Sequence, residues 1–149
     1  MFAELAQLAD AELVYQRGLP PRSRYIFKHA LIQDAAYQSL LKSTRQQYHQ
    51  RIAQVLTAQF AEIVEIQPEL AAHHYTEAGL REQGVAYWQR AGQRAGERSA
   101  HAEALAHLTK GLELLKTLPD TLDRLQPELA LQTSLGIALI ATKGYAARK

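Results

Sequence analysis

The sequence predicts a mainly α protein in which helical hairpins, stacked side by side, follow a small N-terminal part with one β-hairpin. Three observations carry this. Strand-forming residues flank turn chemistry in one short region only, near 13–28. From residue 29 onward apolar side chains recur every three or four positions. In YWQRAGQRAGERSAHAEALAHLTKGLELL, Tyr87 to Leu115, alanine and glycine stand where a helix ordinarily carries large side chains.

The chain has 149 residues, enough for one domain or a short repeat array with its own core. Its 47% apolar and 21% charged residues are ordinary for a soluble globular protein. A net charge of +2 is too weak to draw nucleic acid. With no cysteine, disulfides, thiolate catalysis and cysteine-ligated zinc are excluded, and a cytoplasmic location is expected. MFAELAQLAD carries Glu4 and no basic segment, so it does not read as a signal peptide. The longest apolar run, LGIALIA at 135–141, is far below the roughly 20 residues of a membrane span.

Residues 2–10 read as a short helix. Leu13, Val14 and Tyr15 suit one strand and Tyr25, Ile26 and Phe27 its partner, with Gly18, Pro20, Pro21 and Ser23 supplying the turn. A helix follows over 29–42, with Ile32, Ala36 and Leu40 on one stripe. Ser43 or Thr44 is expected to cap the next helix, whose inward face is Tyr48, Ile52, Val55, Leu56, Phe60 and Ile63. Pro68 suits a first turn and Gly79 a helix end. The next helix spans Glu82 to about Arg98. Ser99 is expected to cap another, with Leu105, Leu108, Leu112 and Leu115 in line and Pro119 as its stop. The last helix should start at Asp120 or Thr121 and run to Lys143, with Pro127 either kinking it or marking its first turn.

The small residues have a regular spacing. Trp88, Ala91-Gly92 and Ala95 give W-x2-A-G-x2-A; Ala104, Leu108 and Gly111 give A-x3-L-x2-G. This resembles the tetratricopeptide repeat, W-x2-L-G-x2-Y followed by A-x3-F in a helix-turn-helix unit of about 34 residues. Gly84, Trp88 and Ala91 repeat the second half one helix earlier, and Leu135-Gly136-x2-Leu139 resembles the L-G-x2-Y core one helix later. Small residues let helices approach closely, while Trp88 and Leu108 fill the grooves between them. The array, an α-solenoid over 65–149, reads as incomplete at its C-terminal end. Its last helix has apolar residues on two sides: Leu125, Leu129, Gly136 and Ile140, and Leu131, Leu135, Ala138 and Leu139. Two such faces expect two neighbours, one of which is a further segment or a second copy.

Two longer stretches carry a wider resemblance. YIFKHALIQDAAYQSLLKSTRQQYHQRIAQVL resembles the end of the winged-helix region of STAND-type signalling ATPases. PELAAHHYTEAG, with the repeats that follow it, resembles the tetratricopeptide array downstream of such regions. That pairing is typical of large bacterial proteins that join an adenylate/guanylate cyclase or DNA-binding domain to a STAND ATPase. The resemblance implies a winged-helix-like remnant over 1–64, with the hairpin as its wing. It also implies that His29 matches the histidine of a Met-His-Asp signature that contacts a nucleotide β-phosphate, with Lys28 and Ala30 at the flanking positions. There is no G-x4-GK[ST] loop, so ATP hydrolysis by this chain alone is not expected.

Other chemistry finds little support. His73 and His74 are adjacent and point apart; His101 and His107 are off a common face; no H-E-x-x-H occurs. Glu69, His73 and Glu77 share a helix face, as do Glu103 and His107, but solvated pairs are the commoner use of such spacing, and no metal site is expected. No strand-turn-helix elbow exists for a Ser/His/Asp system. The helix at 29–41 has only Lys42 near its end for phosphate contacts, so nucleic acid is an unexpected partner. The sequence thus reads as a non-enzymatic interaction and regulatory module needing no cofactor. Its partner would be another protein or the rest of a signalling ATPase, with self-association through the last helix as a further expectation. Structural or groove positions are Tyr87, Trp88, His74, Tyr75, Arg94, Gly92, Ala95, Ala104, Leu108 and Gly111. The competing reading is ADP sensing through His29.

Overall fold

A computed structural model describes residues 2–19 and 23–146. The chain is mainly helical with a single antiparallel hairpin. In order it forms α1 (Phe2–Asp10), β1 (Val14–Arg17), β2 (Arg24–Phe27), α2 (Ala30–Ser39), α3 (Lys42–Gln59), α4 (Ala61–Ile66), α5 (Pro68–Glu77), α6 (Arg81–Glu97), α7 (His101–Lys116) and α8 (Leu122–Ala146). It divides into two compact units at Thr44/Arg45. The boundary expected near residue 64 instead lies inside the second unit, because α3 and α4 share a core with α5: Ala53, Val64, Ala71 and Tyr75 pack together.

In the first unit β1 pairs with β2 in the register Val14↔Phe27 to Arg17↔Arg24. Pro20 and Pro21 of the expected turn lie outside the described residues. Gly18 takes φ +82, and the Gln16 amide donates to Ser23 Oγ at 3.2 Å across the loop. Lys28 pairs with Glu12 at 2.8 Å and lies 5.6 Å from the Tyr15 ring centre. The stripe expected on α2 is not an inward face, since no residue of α2 is buried.

In the second unit α5, α6, α7 and α8 pack each on the next, and α6 also touches α8 across α7. Two of the turns share one geometry. After α5 the Leu80 N–H donates to the Tyr75 carbonyl, with Gly79 at φ +79. After α6 the Ala100 N–H donates to the Ala95 carbonyl, with Ser99 at φ +60. Both close the helix C-terminus with a left-handed residue. Ser99 is therefore a C-terminal turn residue and not the N-cap expected of it; Ala100 holds that position and caps with no side chain. Ser43 and Thr44 are likewise inside α3, which begins at Lys42. Pro127 lies inside α8, and that helix continues past Lys143 to Ala146.

The small residues sit at the closest helix approaches. A Cβ on Gly92 would overlap the Leu108 side chain, and one on Gly111 would come within 3.0 Å of Leu131 and 3.2 Å of Trp88 Cβ. Ala91, Ala95 and Ala104 are each buried. On α8, Leu131 and Ala138 are buried against α7, whereas Leu125, Leu129 and Ile140 are exposed.

The inward face expected on α3 is corrected. Tyr48, Ile52, Val55, Phe60 and Ile63 are exposed, Leu56 is half-buried, and the buried positions are His49 and Ala53. Hydrophobicity pointed to the larger residues, while the contact of α3 with α4 and α5 is made through Ala53, which packs with Val64, Ala71 and Tyr75.

Three consequences are measurable by chemical denaturation. Gly92→Ala destabilises the chain by about 1–2 kcal/mol, because overlap with immobile Leu108 outweighs the better helix propensity. Gly136→Ala, where the new methyl meets nothing within 4 Å, stabilises it by about 0.5–1 kcal/mol. Ser99→Gly relieves a left-handed non-glycine residue and stabilises by about 1 kcal/mol.

Candidate functional site

Two features of the second unit offer chemistry to another molecule. The first is a channel between α6 and α8, floored by α7. One cavity in it, of about 370 Å³, is lined by Gly92 and Gly96 of α6, Ala104 and Leu108 of α7, and Ser134 and Ile137 of α8. A second, of about 540 Å³, is lined by Val85 and Gln89 of α6, Leu115 of α7, Leu118 of the connection that follows it, and Asp123 and Pro127 of α8. The lining residues of α6 recur at helical spacing along one face, so the two cavities lie in line along that helix. Gly96 would meet nothing within 4 Å if it carried a Cβ, so its missing side chain opens space without closing a helix contact. Ile137, at the lip, is 65% exposed.

Most of the positions singled out in the sequence are held inside the helix packing. Trp88 is buried; its indole N–H donates to Thr76 Oγ1 at 3.0 Å, and that hydroxyl donates to the Ala72 carbonyl. Its ring stacks on His107 at 5.4 Å between centres, with the Lys110 ammonium 4.7 Å from its centre. Tyr75 stacks on Tyr87 at 5.3 Å, its hydroxyl 3.2 Å from Thr57 Oγ1, and the Arg90 guanidinium lies 5.1 Å from the Tyr87 centre. Arg94 Nε donates to the Ile66 carbonyl at the end of α4. Of the named positions, Gly92, Ala104 and Leu108 line the channel. Gly96, Ser134 and Ile137 were missed; their signal was small or apolar residues on α6 and α8 that the packing pattern did not use. His29 is exposed at the N-terminal boundary of α2 and makes no side-chain cap bond.

The second feature is a histidine cluster. His73 and His74 follow one another on α5, and α3 brings His49 against them. His49 Nδ1 lies 2.8 Å from His74 Nδ1, so one of these nitrogens donates to the other. The His73 ring stands 5.7 Å from His49 and 5.2 Å from His74, centre to centre. Nitrogen atoms of all three lie within 4.8 Å of one another. The expectation that the histidines do not converge is thereby corrected. It considered spacing along single helices, and the third member is 24 residues away on another one. Its signal was His49 four residues before Ala53, one turn away on the same face of α3.

Burial pushes the His74 imidazole down to about 4, helped by the neighbouring His49 and His73 and opposed by the Glu77 carboxylate. Burial also lowers His49, again against Glu77.

Compared with protein families and with solved structures, the chain matches none. It is similar to an uncharacterized protein of Rhizobium meliloti (strain 1021), 31% identical over 137 residues that make up 92% of the chain. The chain spans 13% of that protein's length. No described helix is long and apolar enough to cross a membrane.

Since the folded chain holds His74 and His49 neutral more strongly than the unfolded chain does, the unfolded state binds more protons below the ordinary histidine pKa of about 6.5. This contribution to stability is fully present above that pH and is lost as pH falls toward 4. The thermal midpoint of the metal-free chain is therefore lower at pH about 5 than at pH about 7.5, and His74→Gln flattens the slope.

Proposed function

We propose that this chain is a non-enzymatic interaction module that binds a protein partner through the channel between α6 and α8. The observation that carries this reading is the pair of cavities between α6 and α8, with an apolar floor on α7 and glycine at Gly96 where a side chain would narrow the space. Helical channels of this kind take an amphipathic helix or an extended segment. The face of α6 from Glu82 to Glu97 offers a length of about 24 Å at 1.5 Å per residue, enough for about seven extended residues. The resemblance to tetratricopeptide arrays supports the same mode. The length of the rhizobial relative supports a role within a much larger protein, where such a module links a switch such as a STAND ATPase to its partner. The exposed Leu125, Leu129 and Ile140 supply a further apolar surface on α8, to which self-association is assigned.

Differential capture tests the reading. The wild-type chain and a Glu113→Gln control, altered on α7 away from the channel, retain the same protein from a cell extract. Gly96→Arg and Ile137→Glu lose it by about tenfold or more while keeping wild-type circular dichroism. Captured proteins indifferent to both channel substitutions would refute it.

A further inference from the structure

We propose that His49, His73 and His74 form a binding site for one divalent late transition metal ion, Zn²⁺ foremost, that ties α3 to α5. The proposal is independent of the channel and of any partner. Three imidazoles from two helices converge with their nitrogens within 4.8 Å of one another. Three histidines are a sufficient protein ligand set for zinc, with a water or carboxylate in the fourth position.

The present arrangement is close to what a metal needs. Two zinc-bound nitrogens at 2.0–2.1 Å and tetrahedral angles stand about 3.3 Å apart. The His49 and His74 nitrogens, at 2.8 Å, need to separate by about half an ångström, and His73 has to swing inward. His73 is exposed, so that swing disturbs no packing. His49 and His74 are the anchored pair, one buried and one half-buried.

The chemistry of the donors agrees. A metal accepts only the neutral imidazole lone pair, and burial disfavours the charged form of both inner rings. Without a metal the inner pair can share one hydrogen, and protonating either ring sets a positive charge against the other two. A metal ion takes both lone pairs at once. Glu77, one turn beyond His73 on α5, supplies negative charge that acts on both inner rings and offsets part of the charge of the ion. Among the described residues His49 is also the one buried imidazole. Late divalent ions favour imidazole over hard oxygen donors, so Zn²⁺, Cu²⁺ and Ni²⁺ bind ahead of Mg²⁺ and Ca²⁺.

The test uses the full chain without a histidine tag, stripped with chelator and titrated with zinc chloride at pH about 7.5, where free imidazole is neutral. Calorimetry shows one equivalent binding at micromolar or lower concentration, and the thermal midpoint rises with added zinc. His73→Gln, at an exposed position that leaves the core intact, weakens binding by about 10–100-fold and abolishes the thermal rise. His49→Gln and His74→Gln do the same, and His101→Gln does not. Co²⁺ in place of Zn²⁺ gives the intense visible bands of a four-coordinate site, lost in His73→Gln. Absence of saturable one-equivalent binding, or wild-type affinity in His73→Gln, overturns the proposal.

Discussion

The second unit depends on how closely neighbouring helices approach at a few positions without side chains. Leu108 of α7 sits where a Cβ of Gly92 would be, and Leu131 of α8 presses on Gly111. These two seats place α7 between α6 and α8 at a spacing that lets the outer two also touch. The channel follows from that arrangement: α7 becomes a floor because both of its neighbours lean on it. Glycine serves two opposite purposes here. Gly92 and Gly111 are filled by a neighbour's side chain, while Gly96 and Gly136 are filled by nothing.

The core is a chain of small clusters rather than one mass. Ala53, Val64, Ala71 and Tyr75 form the first, Ala72, Trp88 and Ala91 the next, and Val85, Ala95, Leu108, Leu115 and Leu131 lead the third. Tyr87 touches the first and second, and Leu114 the second and third. Each fully buried leucine contributes about 1.5–3 kcal/mol, but only while the adjacent helix is in place. Stability in such an array is passed from neighbour to neighbour. The polar bonds of Trp88 and Tyr75 add direction: the indole reaches Thr76 on α5, and the tyrosine hydroxyl reaches Thr57 on α3.

The sequence was legible where periodicity and size agreed. From α5 onward, large residues occupy the inter-helix seams and small ones the crossings, so element order and buried face could both be read. On α3 the two signals conflict. Its most hydrophobic line, Tyr48–Ile52–Val55, faces outward, and His49 and Ala53 are its buried positions. Ser99 misled for a related reason. A serine before a helical run looks like an N-cap, but the preceding helix requires a left-handed residue there, as at Gly79. The channel was half legible, since Gly92, Ala104 and Leu108 were found through their packing role. Its wall on α8 required knowing that α6 and α8 face one another.

The histidine cluster was illegible for a physical reason that also bears on its meaning. Ligand spacing along one helix reflects local geometry, whereas His49 meets His73 and His74 only after α3 docks on α5. A buried imidazole in such a joint is a poor choice for packing, since an apolar residue of similar size needs no partner for its nitrogens. His49 meets the His74 imidazole at 2.8 Å, and a single hydrogen between two nitrogens leaves that pair vulnerable to protonation. The same joint already has a neutral hydrogen bond, Thr57 to Tyr75, that performs the orienting task without a titratable group. What the histidines add beyond that bond is a set of lone pairs converging from two helices.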